Sequence, residues 1–338
     1  MTKTQDEKYK IQIESAWKKY EENDLSSAKK ICIQIRDEFP DKLGASYLLG
    51  IIYYDKKQFV ESAKELKEAF KNDNEKKAGG FICYWLGKTY GNQTFSDDEN
   101  PLYDKDTSRK YFEQALEFET CPEDTINQLH YIYQNNYKLI QLFKTAIKKF
   151  PENLNFVLRL SDTYFKIGEI ENQEKVLITA KEKHRSTHVL YDLSKIELNK
   201  KNFNEAHEYL KLAKELNENP KSEFALQLQF ANICYAEGDL KKAKDIYIDT
   251  FNKEKNTENF WFGLIGVLMC VDKTTYSDFT SLISAMEITK QFIIDDWFGD
   301  MPIYFDSQWS IGLDLPVKEE IAIKKLDSIK KTQSGDDI

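Results

Sequence analysis

Three segments repeat one pattern of apolar and polar positions: ASYLLGIIYYDKKQFVESAKELKEAF (45–70), FVLRLSDTYFKIGEIENQEKVLITA (156–180) and VLYDLSKIELNKKNFNEAHEYLKLA (189–213). In each, an apolar residue precedes a small one: Leu49-Gly50, Leu160-Ser161 and Leu193-Ser194. A polar turn follows, then Phe59, Ile170 or Phe203, then a second amphipathic stretch that closes near an alanine. Apolar residues spaced at helical period on either side of a polar turn predict two short helices per unit.

The late position of the second helix forms a ladder of Ile35, Ala69, Ala115, Ala146, Ala180, Ala213 and Thr250, with steps of 34, 46, 31, 34, 33 and 37 residues. That period fits a helix pair and its two turns. Small side chains recur because the helices of a pair cross closely and a bulky residue would hold them apart. Pro40, Pro122, Pro151 and Pro220 fall where one unit gives way to the next, since proline cannot continue the second helix.

The succession resembles the tetratricopeptide repeats. Trp85-Leu86-Gly87 with Tyr90 matches the first half of that family's signature; Ala206, Leu210 and Ala213 match most of the second, as do Ala28, Ala243 and Tyr247. The resemblance implies an all-α fold, a right-handed α-solenoid of stacked antiparallel helix pairs. The units run roughly over 9–41, 43–75, 80–120, 123–151, 153–185, 187–219 and 222–255, with a degenerate pair over 257–291. The solenoid is thus expected to span 1–291, and 292–338 to form an aromatic segment, a short helix and a disordered tail. The unit at 123–151 lacks the Leu-Gly pair and is short.

Two stretches break the pattern. Residues 92–107, NQTFSDDENPLYDKDT, lengthen the turn inside the third unit and carry Asp97, Asp98, Glu99, Asp104 and Asp106. A calcium loop needs alternating oxygen ligands around a sharp glycine turn; neither is here, so the segment reads as a solvated acidic insertion. From Asp295 onward, Trp297, Phe298, Tyr304, Phe305 and Trp309 crowd a stretch with Gly and Pro breakers. Aromatics at that density either cap the last repeat, the favoured reading, or dock a partner.

Composition narrows the function classes. The 338 residues carry a net charge of −9, spread along the chain, which disfavours nucleic acid as the main ligand. The longest apolar run, FWFGLIGVLMCV at 260–271, is well short of the ~20 residues a membrane helix needs. The N-terminus shows no signal-peptide pattern. Five scattered cysteines, Cys32, Cys83, Cys121, Cys234 and Cys270, suggest reduced thiols and a cytoplasmic protein.

Candidate chemistry fails on spacing. Gly87-Lys88-Thr89 looks like the end of a phosphate loop, but Ile82 stands where that loop needs its first glycine, and the residues between are bulky. His184 and His188 lie i,i+4 across a junction between units, with no cysteine or carboxylate set to complete a zinc site. No nucleophile elbow, HExxH or paired-cysteine motif occurs. No cofactor is expected, and the chain reads as non-catalytic.

In the family the first helices line an inner groove. Carried onto this sequence, that implies Ile13, Trp17 and Tyr20; Tyr47, Ile51 and Tyr54; Tyr84 and Lys88; Leu158, Asp162 and Phe165; Tyr191 and Lys195; and Leu228, Asn232 and Tyr235. Such a groove suits a peptide or helix with apolar anchors. The family's clamp for acidic chaperone tails is absent, because Ile13 and Trp17 occupy its first-helix positions and the third unit opens with Phe81. The expected function is an adaptor that binds a protein segment. The alternatives are a regulatory subunit acting through 92–107 or the C-terminal aromatics, and an enzyme with an unrecognised site.

Overall fold

The computed structural model describes residues 3–92 and 100–254, which hold fourteen helices and no strand. They follow in pairs: α1 (Lys3–Glu21) with α2 (Leu25–Glu38), α3 (Leu43–Asp55) with α4 (Phe59–Lys71), α5 (Gly79–Gly91) with α6 (Lys105–Ala115), and α7 (Asp124–Ile132) with α8 (Asn136–Lys149). Next come α9 (Leu154–Lys166) and α10 (Ile170–Lys183), α11 (Thr187–Asn199) and α12 (Phe203–Glu215), and α13 (Pro220–Glu237) and α14 (Leu240–Glu254). The architecture is an all-α solenoid of helix pairs, and the chain divides into two compact units between Phe156 and Val157. The expected degenerate pair at 257–291 and the aromatics Trp297, Phe298, Tyr304, Phe305 and Trp309 lie outside the described residues.

One turn recurs inside the pairs. Asn23 and Lys57 in the first unit, and Gly168, Lys201 and Gly238 in the second, take positive φ of 61°, 56°, 76°, 63° and 91°. After each, the next amide reaches back to the last turn of the first helix: Asp24 to Lys19, Gln58 to Tyr53, Glu169 to Tyr164, Asn202 to Glu197 and Asp239 to Cys234. A left-handed residue with that long return bond satisfies the orphan carbonyls of a helix end and reverses the chain. The turn is therefore set by backbone geometry, and only two of its five examples use glycine.

The ladder lies at the crossings. Ile35, Ala69, Ala115 and Ala146 are fully buried in the first unit, and Ala180, Ala213 and Thr250 are buried in the second. One turn before the ladder alanines, a Cβ on Gly50 would come 2.5 Å from the Leu66 side chain, and one on Gly87 would come 2.6 Å from the Phe112 ring. In α11 the small residue is Ser194, whose buried hydroxyl donates to the Ala206 carbonyl at 2.9 Å. A small side chain at this position lets the second helix close in, whichever small residue supplies it.

The insertion keeps a structural role at its C-terminal end. Asp104 caps α6, accepting from the Asp106 amide at 2.9 Å, the Thr107 amide at 3.3 Å and the Thr107 hydroxyl at 2.7 Å. Asp106 pairs with Arg109 at 2.9 Å. Asn100 is buried and donates to the carbonyls of Thr89 and Asn92, stitching the returning chain to the end of α5. Asp104 and Asp106 stay exposed while also serving the helix start; Asp97, Asp98 and Glu99 lie outside the described residues. Pro220 also differs from expectation in one respect: it is the first residue of α13, where its missing N–H costs nothing.

Candidate functional site

α5 is one continuous helix from Gly79 to Gly91, with Ile82 and Leu86 buried against its neighbours. No phosphate loop exists there. Lys88 instead projects from the helix into a cup of aromatic rings. Its ammonium lies 4.7 Å from the Trp85 ring centroid, 5.3 Å from Tyr54 and 5.5 Å from Tyr84. Ring faces carry negative quadrupole density, so three of them hold a cation without neutralising it.

The cup belongs to a longer aromatic face on the first helices of the first unit. Trp17 on α1 meets Tyr20 edge-on at 5.7 Å and Tyr47 on α3 at 6.1 Å. Tyr54 packs edge-on against Trp85 of α5 at 5.2 Å, and Tyr84 against the same indole at 5.7 Å. All these residues, and Lys88, are half-buried: neither sealed into the core nor free in solvent. Their polar tips are fixed. Tyr20 donates to Asp55 at 2.8 Å, Tyr84 donates to Asp124 at 2.8 Å, and Tyr54 accepts from Asn92 at 3.0 Å. Burial pushes the Tyr47 phenol up to about 12, against the pull of the Trp85 indole. Asp124 is held below the usual carboxylate range: burial drives it upward, but bonds from Gln128, Tyr84 and Asn127 outweigh that.

A smaller cluster occupies the first helices of the second unit. Lys195 on α11 lies 5.5 Å from the Tyr191 ring and 5.8 Å from Phe165 of α9. Beside it are two carboxylates, Asp162 and Asp192. Burial, then the charge of Asp192, pushes Asp162 up to about 7, against Lys166 and Lys195. Asp192 is likewise raised, by burial first, with Lys195 and His188 opposing. Burial and the Asp192 charge also raise the Tyr191 phenol. Lys88 and Lys195 hold the same register, one residue after Leu86-Gly87 and two after Leu193. Each rests on rings from its own helix and the preceding first helix.

Three expected groove residues are corrected. Ile51 and Leu228 are buried, and so is Asn232, whose side-chain oxygen accepts a 2.6 Å bond from the buried Tyr247 hydroxyl. Asn232 is part of the packing between α13 and α14. Tyr235 remains half-buried on α13. Sequence reasoning also passed over Trp85, which touches Tyr54, Tyr84 and Lys88, and Asp124, which anchors Tyr84. The i,i+3 spacing of Trp85 and Lys88 was the available signal, since residues so spaced share a helix face.

Catalytic or metal chemistry finds little footing among the described residues. No group of three or more His, Cys, Asp or Glu side chains is placed to hold a metal. His184 ends α10 while His188 lies in α11, so the pair shares no helix. Cys32, Cys83, Cys121 and Cys234 are buried free thiols, and burial raises them, Cys32 and Cys83 to about 12, well away from a reactive thiolate. No described helix is long and apolar enough to cross a membrane.

A tetratricopeptide repeat family model matches residues 187–220, the α11–α12 pair and the first residue of α13. Curated proteins return no match. Among solved structures, the C-terminal part of a TPR repeat-containing protein from Cytophaga hutchinsonii is 14% identical, with a TM-score of 0.53 over 75% of this chain and 99% of that one. The structure of Naa15/Naa10 bound to HypK-THB gives 14% identity and a TM-score of 0.51 over 95% of this chain. The present chain spans about half of that one, covering 52% of its length. At such identities the likeness shows the fold alone, and 143 solved chains match, so the fold selects no single partner. One tetratricopeptide repeat is matched at α11–α12, and the helix pairs around it have the fold of a tetratricopeptide-repeat solenoid.

Proposed function

We propose that the chain is a non-catalytic adaptor whose first-helix faces hold a segment of a partner protein. The observation that carries this reading is the Lys88 cup and the half-buried aromatic face continuous with it from Trp17 to Tyr84. Aromatic side chains already ordered by their neighbours lose little entropy on binding, so more of the contact energy is left for affinity. Lys88, held by ring faces and without a carboxylate at ion-pair distance among the described residues, would add a directional polar contact. In the second unit, Phe165, Tyr191 and Lys195 would contribute, with Tyr235 as a flanking contact. One of the solved chains of similar fold comes from an assembly, Naa15/Naa10 bound to HypK-THB. The scattered cysteines, four of them buried free thiols among the described residues, support a reducing compartment, the cytoplasm, as its location.

The test is capture of partners from cells by the tagged full chain and by Trp17→Ala/Tyr54→Ala and Lys88→Glu variants that remain folded by circular dichroism. Loss of specific partners from both variants supports the reading. Retention by both variants, with loss on deleting 295–338, would favour a regulatory subunit working through its C-terminal aromatics.

A further inference from the structure

The chain is acidic almost everywhere, yet from Thr125 to Pro151 it contains no Asp or Glu. Within that stretch α8 carries Lys138, Lys144, Lys148 and Lys149. Lys138 and Lys148 are exposed and form no ion pair among the described residues, while Lys149 donates to the Phe118 carbonyl at 2.8 Å. In a chain with net charge −9, four lysines on a helix without a carboxylate concentrate a local positive field there.

An open cleft of about 420 Å³ runs along that helix. α7, between α6 and α8 in the chain, has 9 residues where α3, α5, α9 and α11 each have 13. Leu116, which caps the end of α6, and Leu142 of α8 line the cleft, with Tyr133 and Tyr137 beside them. Tyr137 is 67% exposed, and Tyr131, in the last turn of α7, is 79% exposed. Tyr137, so open beside an apolar lining, has no packing role that explains it. The cleft holds one carboxylate, Glu113, whose charge is already engaged by the Tyr133 hydroxyl at 2.8 Å and by Arg109 at 3.7 Å. Lys138, its ammonium 5.5 Å from the Tyr133 ring centroid, stands at the edge.

We propose that this cleft, carried by second helices and separate from the first-helix face, docks an acidic segment of a partner protein through one aromatic or aliphatic anchor. The anchor enters between Leu116, Leu142 and Tyr137, and flanking carboxylates meet Lys138 and Lys148. A nucleic acid fits less well. The basic stretch is one helix of ~21 Å, and the acidic surface on either side repels a longer polyanion.

The direct test is fluorescence anisotropy on the full chain with a labelled acidic peptide bearing one central phenylalanine. Versions with alanine for the phenylalanine, or lysine for the acidic residues, serve as controls beside a single-stranded oligouridine. Saturable binding of the acidic peptide is expected, weakened roughly tenfold by Lys138→Glu/Lys148→Glu and several-fold by Tyr137→Ala or by loss of the phenylalanine. The lysine version should not bind. These substitutions are at exposed positions, and unchanged thermal unfolding confirms the fold. Failure to saturate, binding indifferent to the charge reversal, or tighter binding of oligouridine at the same residues would overturn the proposal. Lys88→Glu should leave the acidic-peptide affinity unchanged. If that variant alone abolishes binding, the peptide occupies the first-helix face and the cleft is not its site.

Discussion

The Tyr84 hydroxyl donates a 2.8 Å hydrogen bond to Asp124, and through it the third first-helix is tied to the fourth. The same tyrosine forms one wall of the Lys88 cup. A single side chain therefore couples the packing of successive pairs to the shape of the candidate site.

Tyr84→Phe removes that bond while keeping the ring. Because Asp124 is only half-buried, the expected loss is only about 1 kcal/mol near neutral pH. Asp124 ionises more readily folded than unfolded, so its stabilising contribution is complete above the ordinary carboxylate range and fades as pH falls through its lower folded value. Urea unfolding should separate variant from wild type at neutral pH and bring them together in strong acid. An equal gap at both would show that the ring packing, not the bond, was altered.

Gly87→Val should be among the more damaging single changes. Its Cβ would fall 2.6 Å from the Phe112 ring, which is itself buried and cannot retreat. Overpacking of this kind costs about 1–3 kcal/mol. Thermal unfolding reads the loss directly, and an unchanged midpoint would mean that α5 and α6 can separate without penalty.

The left-handed turns give a paired experiment in the second unit. Lys201 holds φ 63° with a side chain, and Gly168 holds φ 76° without one. Lys201→Gly should therefore stabilise and Gly168→Ala destabilise, each by about 1 kcal/mol. Nothing lies within 4 Å of a Cβ built on Gly168, so any loss there comes from the backbone alone. Opposite signs in chemical denaturation are the expected result.

Asp162 makes the second unit sensitive to a rise in pH from acid to neutral. Burial and Asp192 raise it to about 7, with Lys166 and Lys195 opposing and His188 acting on Asp192. A carboxyl raised on folding stabilises most below its unfolded value, and that stability drains away as pH climbs through the folded one. Wild type should lose stability between about pH 4 and pH 7, and Asp162→Asn should flatten that slope. Hydrogen exchange in α9 and α11 at several pH values reads it by region.

The solenoid was legible because its constraints act on residue size. A crossing that admits only a small side chain leaves Gly50, Gly87, Ser161 and Ser194 in register, and the ladder positions are buried on the second helices. The turns were less legible, since Lys57 and Lys201 adopt a conformation that side-chain identity does not advertise. The candidate site keeps Trp17, Tyr47, Tyr54 and Tyr84 half-buried on the first helices. It was misread at Asn232, because helical spacing cannot show that Tyr247, fifteen residues later, turns its hydroxyl onto that amide. Trp85 was counted as part of the repeat motif, and only the packing reveals it as the ring under Lys88.

The most direct test of the central claim is site-specific photocrosslinking in cells, with a photoreactive residue placed at Lys88 on the first-helix face and, as the reference, at Val60 on α4, which is 50% exposed. The account predicts a discrete crosslinked partner band from position 88 that Trp17→Ala removes, and none from position 60. The same bands from both positions, or no crosslink at 88 from a folded chain that still captures its partners, would contradict it.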